Sequence, residues 1–286
     1  MERVERRIFI QKINNLPTLP TIIHRIIQVA DSANANATTL GKVLSKDQSI
    51  SSLILRLVNS AFYGKVRNIS SINHAAVILG FPMVKTIAMG VSVFHTNTKP
   101  SAEGFDRRRF WLHSLGVATL AKTLAKKLKL LPHLDSDTVF LSGLLHDLGK
   151  VVFDNYFHEE YLEVARLVQA EQLWIGHAER RILEMDHTEA GYYLARKWQF
   201  PAPVVAAIRH HHDIPAAENQ HRPLCALVQA ADYGCRKIHL GSGGDDVEVE
   251  LDPLARDRYG LTDRVLEPAL ADLEKRREEL EAFVSG

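Results

Sequence analysis

In Gly143-Leu144-Leu145-His146-Asp147-Leu148-Gly149-Lys150 a histidine and an aspartate stand side by side inside an apolar run. Burying either side chain without a partner costs several kcal/mol. Imidazole nitrogen and carboxylate oxygen both ligate first-row metals, so a metal ion is the best candidate for satisfying them. Helical spacing places further donors on apolar faces. His113 falls on the stripe of Phe110, Val117, Ala121, Leu124 and Leu128. His211 and His212 share a face with Val204 and Ile208, while His210 is off it. Asp232 lies within the stripe Leu224, Leu227, Val228, Ala231 and Cys235, and His187 sits just behind the cap residue Asp186.

Singly, each of these has a duller explanation. His113 reads as a hydrogen-bonded core histidine, and Asp232 as a partner for Arg236. The His210-His211-His212 triplet reads as a solvated helix end, where the helix dipole favours histidine. Taken together, five histidines (His113, His146, His187, His211, His212) and two aspartates (Asp147, Asp232) suffice for two first-row ions. A donor set without cysteine favours Fe or Mn, with Zn or Ni as alternatives. Two such ions, bridged by an aspartate, would activate a water and clamp a phosphate.

The elements that must position these groups read as helices. Before them, Leu16-Pro17-Thr18-Leu19-Pro20 is a rigid lead-in. Thr39 is expected to cap a short helix carrying Leu40, Val43 and Leu44. The stripe from Ile50 to Phe62 closes at Gly64, Ser71 opens a helix that Gly80 ends, and the next reaches about Phe94. Polar Thr96 to Gly104 is taken as a linker, giving domains 1–98 and 104–286. Asp106 then caps a long helix to about Leu130, and Asp135 or Ser136 starts one helix bearing both His146 and Asp147. Asp186-His187-Thr188-Glu189 has the form of a capping box. Gly241 to Asp246 is expected to be a flexible loop. The charged stretch from Asp263 to Val284 is expected to be a surface helix.

Bulk composition excludes some partners. A net charge of +1 sets up no global field toward nucleic acid or anionic lipid. No apolar run is long enough to span a bilayer and no signal peptide is visible, so a cytoplasmic location is expected. Cys225 and Cys235 form no spaced metal or redox motif and are expected to be reduced thiols.

Two blocks of this chain resemble the HDOD family, the HD-related output domains of bacterial signalling. The first runs from Leu16-Pro17-Thr18-Leu19-Pro20 through Leu53 to Gly64, Ile69 to Ile72 and Ala75 to Gly80. The second, His113, Gly143 to Lys150, His187 to Gly191, the histidine triplet and Asp232, is similar to the HD and HD-GYP pattern. The resemblance implies an all-α fold, with an N-terminal helical bundle packed on an HD-type helical core. It implies metal ligation by His113, His146, Asp147, His187, His211, His212 and Asp232, and it aligns Lys150 with a lysine directed at substrate phosphate. Arg109 stands where some HD-GYP enzymes carry a glutamate for a third ion. Asp213-Ile214-Pro215-Ala216 replaces the Gly-Tyr-Pro loop that belongs to cyclic dinucleotide recognition.

The expected function is therefore a signal-transduction module with a retained metal core. Its partner would be a signalling protein or a small phosphorylated ligand, with neither nucleic acid nor membrane. The alternative is a metal-dependent phosphohydrolase or phosphodiesterase acting on a nucleotide or cyclic nucleotide, with Asp147 and Lys150 as its catalytic groups. A homodimer through the C-terminal helix stays open, a solvated face being preferred.

Overall fold

The computed structural model describes residues 25–26, 28–29, 32, 36–44, 47–60, 68–95, 105–131, 133–245 and 247–285. The Leu16–Pro20 lead-in, the Gly64 stop and the Thr96–Gly104 linker lie outside them. Every regular element among the described residues is a helix, so the all-α expectation holds. The chain divides into two compact units, one spanning Leu16–Thr98 and the other including Lys99–Gly286.

The first unit contains α1 (Ala37–Leu44), α2 (Gln48–Asn59), α3 (Ile72–Leu79) and α4 (Phe81–His95). Asn36, not Thr39, begins α1: its Oδ1 accepts from the Thr39 N–H at 2.9 Å, and the Thr39 hydroxyl accepts from the Asn36 N–H at 3.1 Å. Asp47 and Ser71 cap α2 and α3 through side-chain oxygens. Helix α2 contacts α4, and Ile50, Ile54, Leu57 and Val58 of the first and Val84, Ile87, Ala88 and Val91 of the second are buried. Asn59 ties the chain after α2 back to it, bonding both the N–H and the carbonyl of Ile69 at 2.8 Å.

The second unit is built around α5 (Arg107–Leu128), capped by Asp106 and buried on nearly every side from Phe110 to Ala121. Around it lie α6 (Ser136–Leu145), α7 (Leu148–Tyr156), α8 (His158–Glu171), α9 (Ile175–Leu183), α10 (His187–Lys197), α11 (Ala202–His210) and α12 (Arg222–Lys237). After them come α13 (Pro253–Tyr259), α14 (Asp263–Glu274) and α15 (Arg277–Ser285). Helix α5 contacts α6, α12, α14 and α15, and α7 packs on α10. Glycines allow the closest approaches. A Cβ on Gly143 would stand 2.7 Å from Ala118 Cα, and one on Gly149 only 1.9 Å from the His187 carbonyl oxygen.

Two expectations are corrected here. His146 and Asp147 do not lie within one helix: α6 ends at Leu145 and α7 begins at Leu148, with Asp147 at φ −97°, ψ 21°. Successive residues on a helix point about 100° apart, so a break is what lets adjacent side chains converge. The charged tail is also not a solvated helix. It is two helices that bury Leu266, Leu270, Leu273 and Leu280, and the Arg277 guanidinium donates to the Ile238 carbonyl just beyond α12 at 2.8 Å.

Candidate metal centre

Five parts of the second unit aim donors at one place. His113 comes from the middle of α5, His146 and Asp147 from the α6–α7 break, His187 from the first position of α10, His211 and His212 from the end of α11, and Asp232 from α12. His113, His146, Asp147, His187, His211 and Asp232 are buried, and His212 is half-buried. Their potential ligand atoms form two groups, each within 4.8 Å: Asp147 with His187, His211 and His212, and His113 with His146 and Asp232. All seven residues singled out in the sequence as donors are therefore brought together. His210, off their face, is half-buried.

Asp147 spans both groups. Its Oδ1 lies 3.2 Å from His187 Nε2 and 3.5 Å from His211 Nε2, while Oδ2 lies 3.2 Å from His146 Nε2. Asp232 Oδ1 is 3.0 Å from His113 Nε2. The outward nitrogens are already committed. His146 Nδ1 faces the Gly143 carbonyl at 2.7 Å and His211 Nδ1 the Ala207 carbonyl at 3.0 Å. His187 Nδ1 faces Glu179 Oε2 at 2.6 Å. A carbonyl or carboxylate oxygen accepts, so each Nδ1 carries the hydrogen and each Nε2 keeps its lone pair for the interior.

Six of these inward atoms, Nε2 of His113, His146, His187 and His211 with Oδ1 of Asp147 and Asp232, are buried without a hydrogen-bond partner. Such atoms are rare in a folded core and cost about 1–3 kcal/mol each. Their clustering, four imidazole nitrogens set against two carboxylates, fits one or two divalent cations. Electrostatics agrees. Burial holds the His113, His211 and His212 imidazoles below their ordinary pKa, hence unprotonated at neutral pH. Burial alone would raise Asp147, but His146, Lys150 and His187 outweigh it and keep the carboxyl well below the usual range. For Asp232 burial is likewise outweighed, by His113 and Arg236. His146 is pulled the other way, its burial overcome by Asp147.

Lys150, 1% exposed, donates from Nζ to Asp147 Oδ2 at 2.6 Å and to the Gly243 carbonyl at 2.8 Å. The second contact overturns the expectation of a flexible Gly241–Asp246 loop for its described residues, 241–245. This segment is a fitted strap. A Cβ on Gly241, at φ +73°, would meet Arg109 O at 2.2 Å and His113 N at 2.4 Å; one on Gly243 would lie 3.6 Å from Lys150 Nζ. Asp245 pins the strap, pairing with Arg236 and accepting from the Ile175 N–H at 3.2 Å. Arg236 is thus bonded to Asp245 rather than to Asp232. Beside the strap a cavity of about 260 Å³, lined by His113, Arg236, Lys237 and Gly241 to Gly243, reaches the centre.

Sequence reasoning missed Glu179, which accepts both the ring and the backbone N–H of His187 from full burial. It missed Trp174, whose ring stands edge-on to His212 at 4.9 Å. Neither carries a spacing signal. Glu179 lies in the ordinary amphipathic run Ala178-Glu179-Arg180-Arg181, and only the tertiary approach of α9 to α10 gives it a role.

No helix among the described residues is long and apolar enough to cross a membrane. The structure is similar to that of an HDOD domain protein with unknown function from Geobacter sulfurreducens, with 29% identity, 98% of this chain and 96% of that one covered, and a TM-score of 0.69. A protein of Marinobacter aquaeolei, provisionally named for signal transduction, shares the fold at 21% identity and a TM-score of 0.70, covering 100% of this chain and 66% of that one. In sequence, 131 residues are 35% identical to Ribonuclease Y of Thermus thermophilus, covering 45% of this chain and 17% of the enzyme. The chain spans less than half the length of the curated relatives it matches, 43% in one case and 17% in another. Residues 16–214, well over half of its length, match the HDOD domain, and the chain belongs to that family.

Proposed function

We propose that this chain is a signal-transduction module whose HD core holds a pair of divalent transition-metal ions, iron or manganese before zinc or nickel. The observation that carries it is the convergence of six partnerless buried donor atoms from separate helices. His113, His146 and Asp232 would hold one ion, His187, His211 and His212 the other, with Asp147 between them. When bound, such ions polarise a phosphoryl group and acidify a coordinated water. The strap supports a sensing or structural use, since the Lys150 ammonium is already engaged by the Gly243 carbonyl. The ligand to be sensed would be a signalling protein or a small phosphorylated molecule.

A second reading is favoured by Lys150 itself, an ammonium beside the carboxylate shared by both groups, and by the likeness to Ribonuclease Y over 131 residues. In it, the centre hydrolyses a phosphate ester or diester, with Lys150 holding the phosphate and Asp147 positioned between the ions. Elemental analysis of the purified protein, paired with turnover assays on nucleotide, cyclic-nucleotide and RNA panels, separates the two. Near-stoichiometric metal, lost in Asp147→Ala, is expected. Turnover abolished by Asp147→Ala and by Lys150→Ala would establish the enzyme. Protein free of transition metal after growth in metal-replete medium would overturn both readings.

A further inference from the structure

His210 is the one member of the histidine triplet that the metal centre does not use. It lines a separate cavity of about 410 Å³ between α10 and α11, together with Tyr192, Arg196, Phe200, Arg209 and Glu218. That size lies within the range of small-molecule pockets, about 300–1,000 Å³. Its lining has two chemistries. Half-buried Tyr192 offers aromatic surface, backed by the buried ring of Phe200. Arg196 and Arg209 supply two guanidiniums against one carboxylate, and guanidinium is the side chain whose planar fork best matches phosphate. The His210 imidazole adds a donor and an acceptor. Aromatic surface beside paired guanidiniums suits a ligand with a planar ring at one end and an anionic phosphate at the other.

The same residues lead back to the centre. Arg209 donates from Nη1 to the Thr188 hydroxyl at 2.8 Å, and that hydroxyl donates to Asp186 Oδ1 at 2.6 Å. Asp186 caps α10, accepting from the Glu189 N–H at 3.0 Å, and the first residue of that helix is His187. His210 adjoins His211 at the end of α11, so consecutive residues face the outer cavity and the metal donors.

We propose that this cavity is an effector site for a nucleoside phosphate, coupled to the metal centre through the Arg209–Thr188–Asp186 chain and the end of α11. The site stands apart from the metal donors, so its existence does not depend on the function assigned to them. Fluorescently labelled GDP titrated into the full chain, with inorganic phosphate as a control, tests it. Arg196 and Glu218 are exposed, so Arg196→Glu and Glu218→Gln leave the fold intact. Binding weakened at least tenfold by Arg196→Glu, strengthened by Glu218→Gln and retained by Asp147→Ala is expected. Coupling predicts that metal-loaded and chelator-treated protein differ in nucleotide affinity by a factor of about 5–150, with nucleotide changing metal affinity by the same factor. No binding of the GDP probe at millimolar concentration would overturn the site. Binding indifferent to Arg196→Glu but lost in Asp147→Ala would also overturn it, by placing the nucleotide at the metal centre. Equal affinities with and without metal would overturn the coupling.

Discussion

Glu179 holds His187 by two contacts at once, ring and backbone, and so fixes both the tautomer and the seat of that imidazole. Carboxylates in this position commonly govern metal affinity about 10–100-fold. Glu179→Gln keeps the shape and removes the charge, so chelator competition should show affinity lower by that factor with helical circular dichroism unchanged. Undiminished affinity would show that the contact is incidental. Gly149 carries a different expectation. A methyl there would stand 1.9 Å from a main-chain oxygen of α10, which cannot move aside without moving His187. Gly149→Ala should cost about 1–3 kcal/mol or more, read by urea denaturation, and should loosen metal binding as well. Helical phase makes His113, His211, His212 and Asp232 legible on apolar stripes, the apolar run around them marks His146 and Asp147, and His187 is legible only through its cap and the family pattern. Glu179 and Trp174 are not, since their roles come from contacts between helices distant in sequence.

Helix ends and loops were the hardest elements to read. An apolar run continuous through Leu144, Leu145 and Leu148 has the periodicity of one helix, and nothing in it marks the backbone turn at His146-Asp147. Glycine composition reports the conformations a segment is permitted, not what it approaches, and so Gly241 to Asp246 reads in the sequence as a flexible loop. As a pinned strap it makes its own prediction. Asp245→Asn weakens the tie to Arg236, and chelator should then extract metal faster while total binding capacity stays the same; an unaltered extraction rate would mean that ions leave by another path. Helix α12 adds a negative expectation. Burial pushes the Cys225 thiol up to about 12 and Cys235 well above its usual value. Because the thiolate is the reactive form, neither should react with a disulfide reagent at pH 8 until the protein is unfolded, whereupon both should.

For the molecule as a whole, the fold class was legible because apolar stripes recur at helical spacing in most segments between the polar linker and loops. The packing of α14 and α15 was not, since their charged residues outnumber the few leucines that anchor them. Linkage sets the stability prediction. Each ion held at about one hundred times its Kd adds about 2.7 kcal/mol, or about 5–11 °C in Tm at 2–4 °C per kcal/mol. Scanning calorimetry before and after chelation should show a drop of that order, restored by manganese. The donors run from His113 to Asp232, and no shorter stretch of chain contains both groups. During synthesis, therefore, the centre cannot be completed until residue 232 has left the ribosome. A nascent or truncated form ending shortly before it would keep the Asp147, His187, His211 and His212 group but leave His113 and His146 without the Asp232 carboxylate.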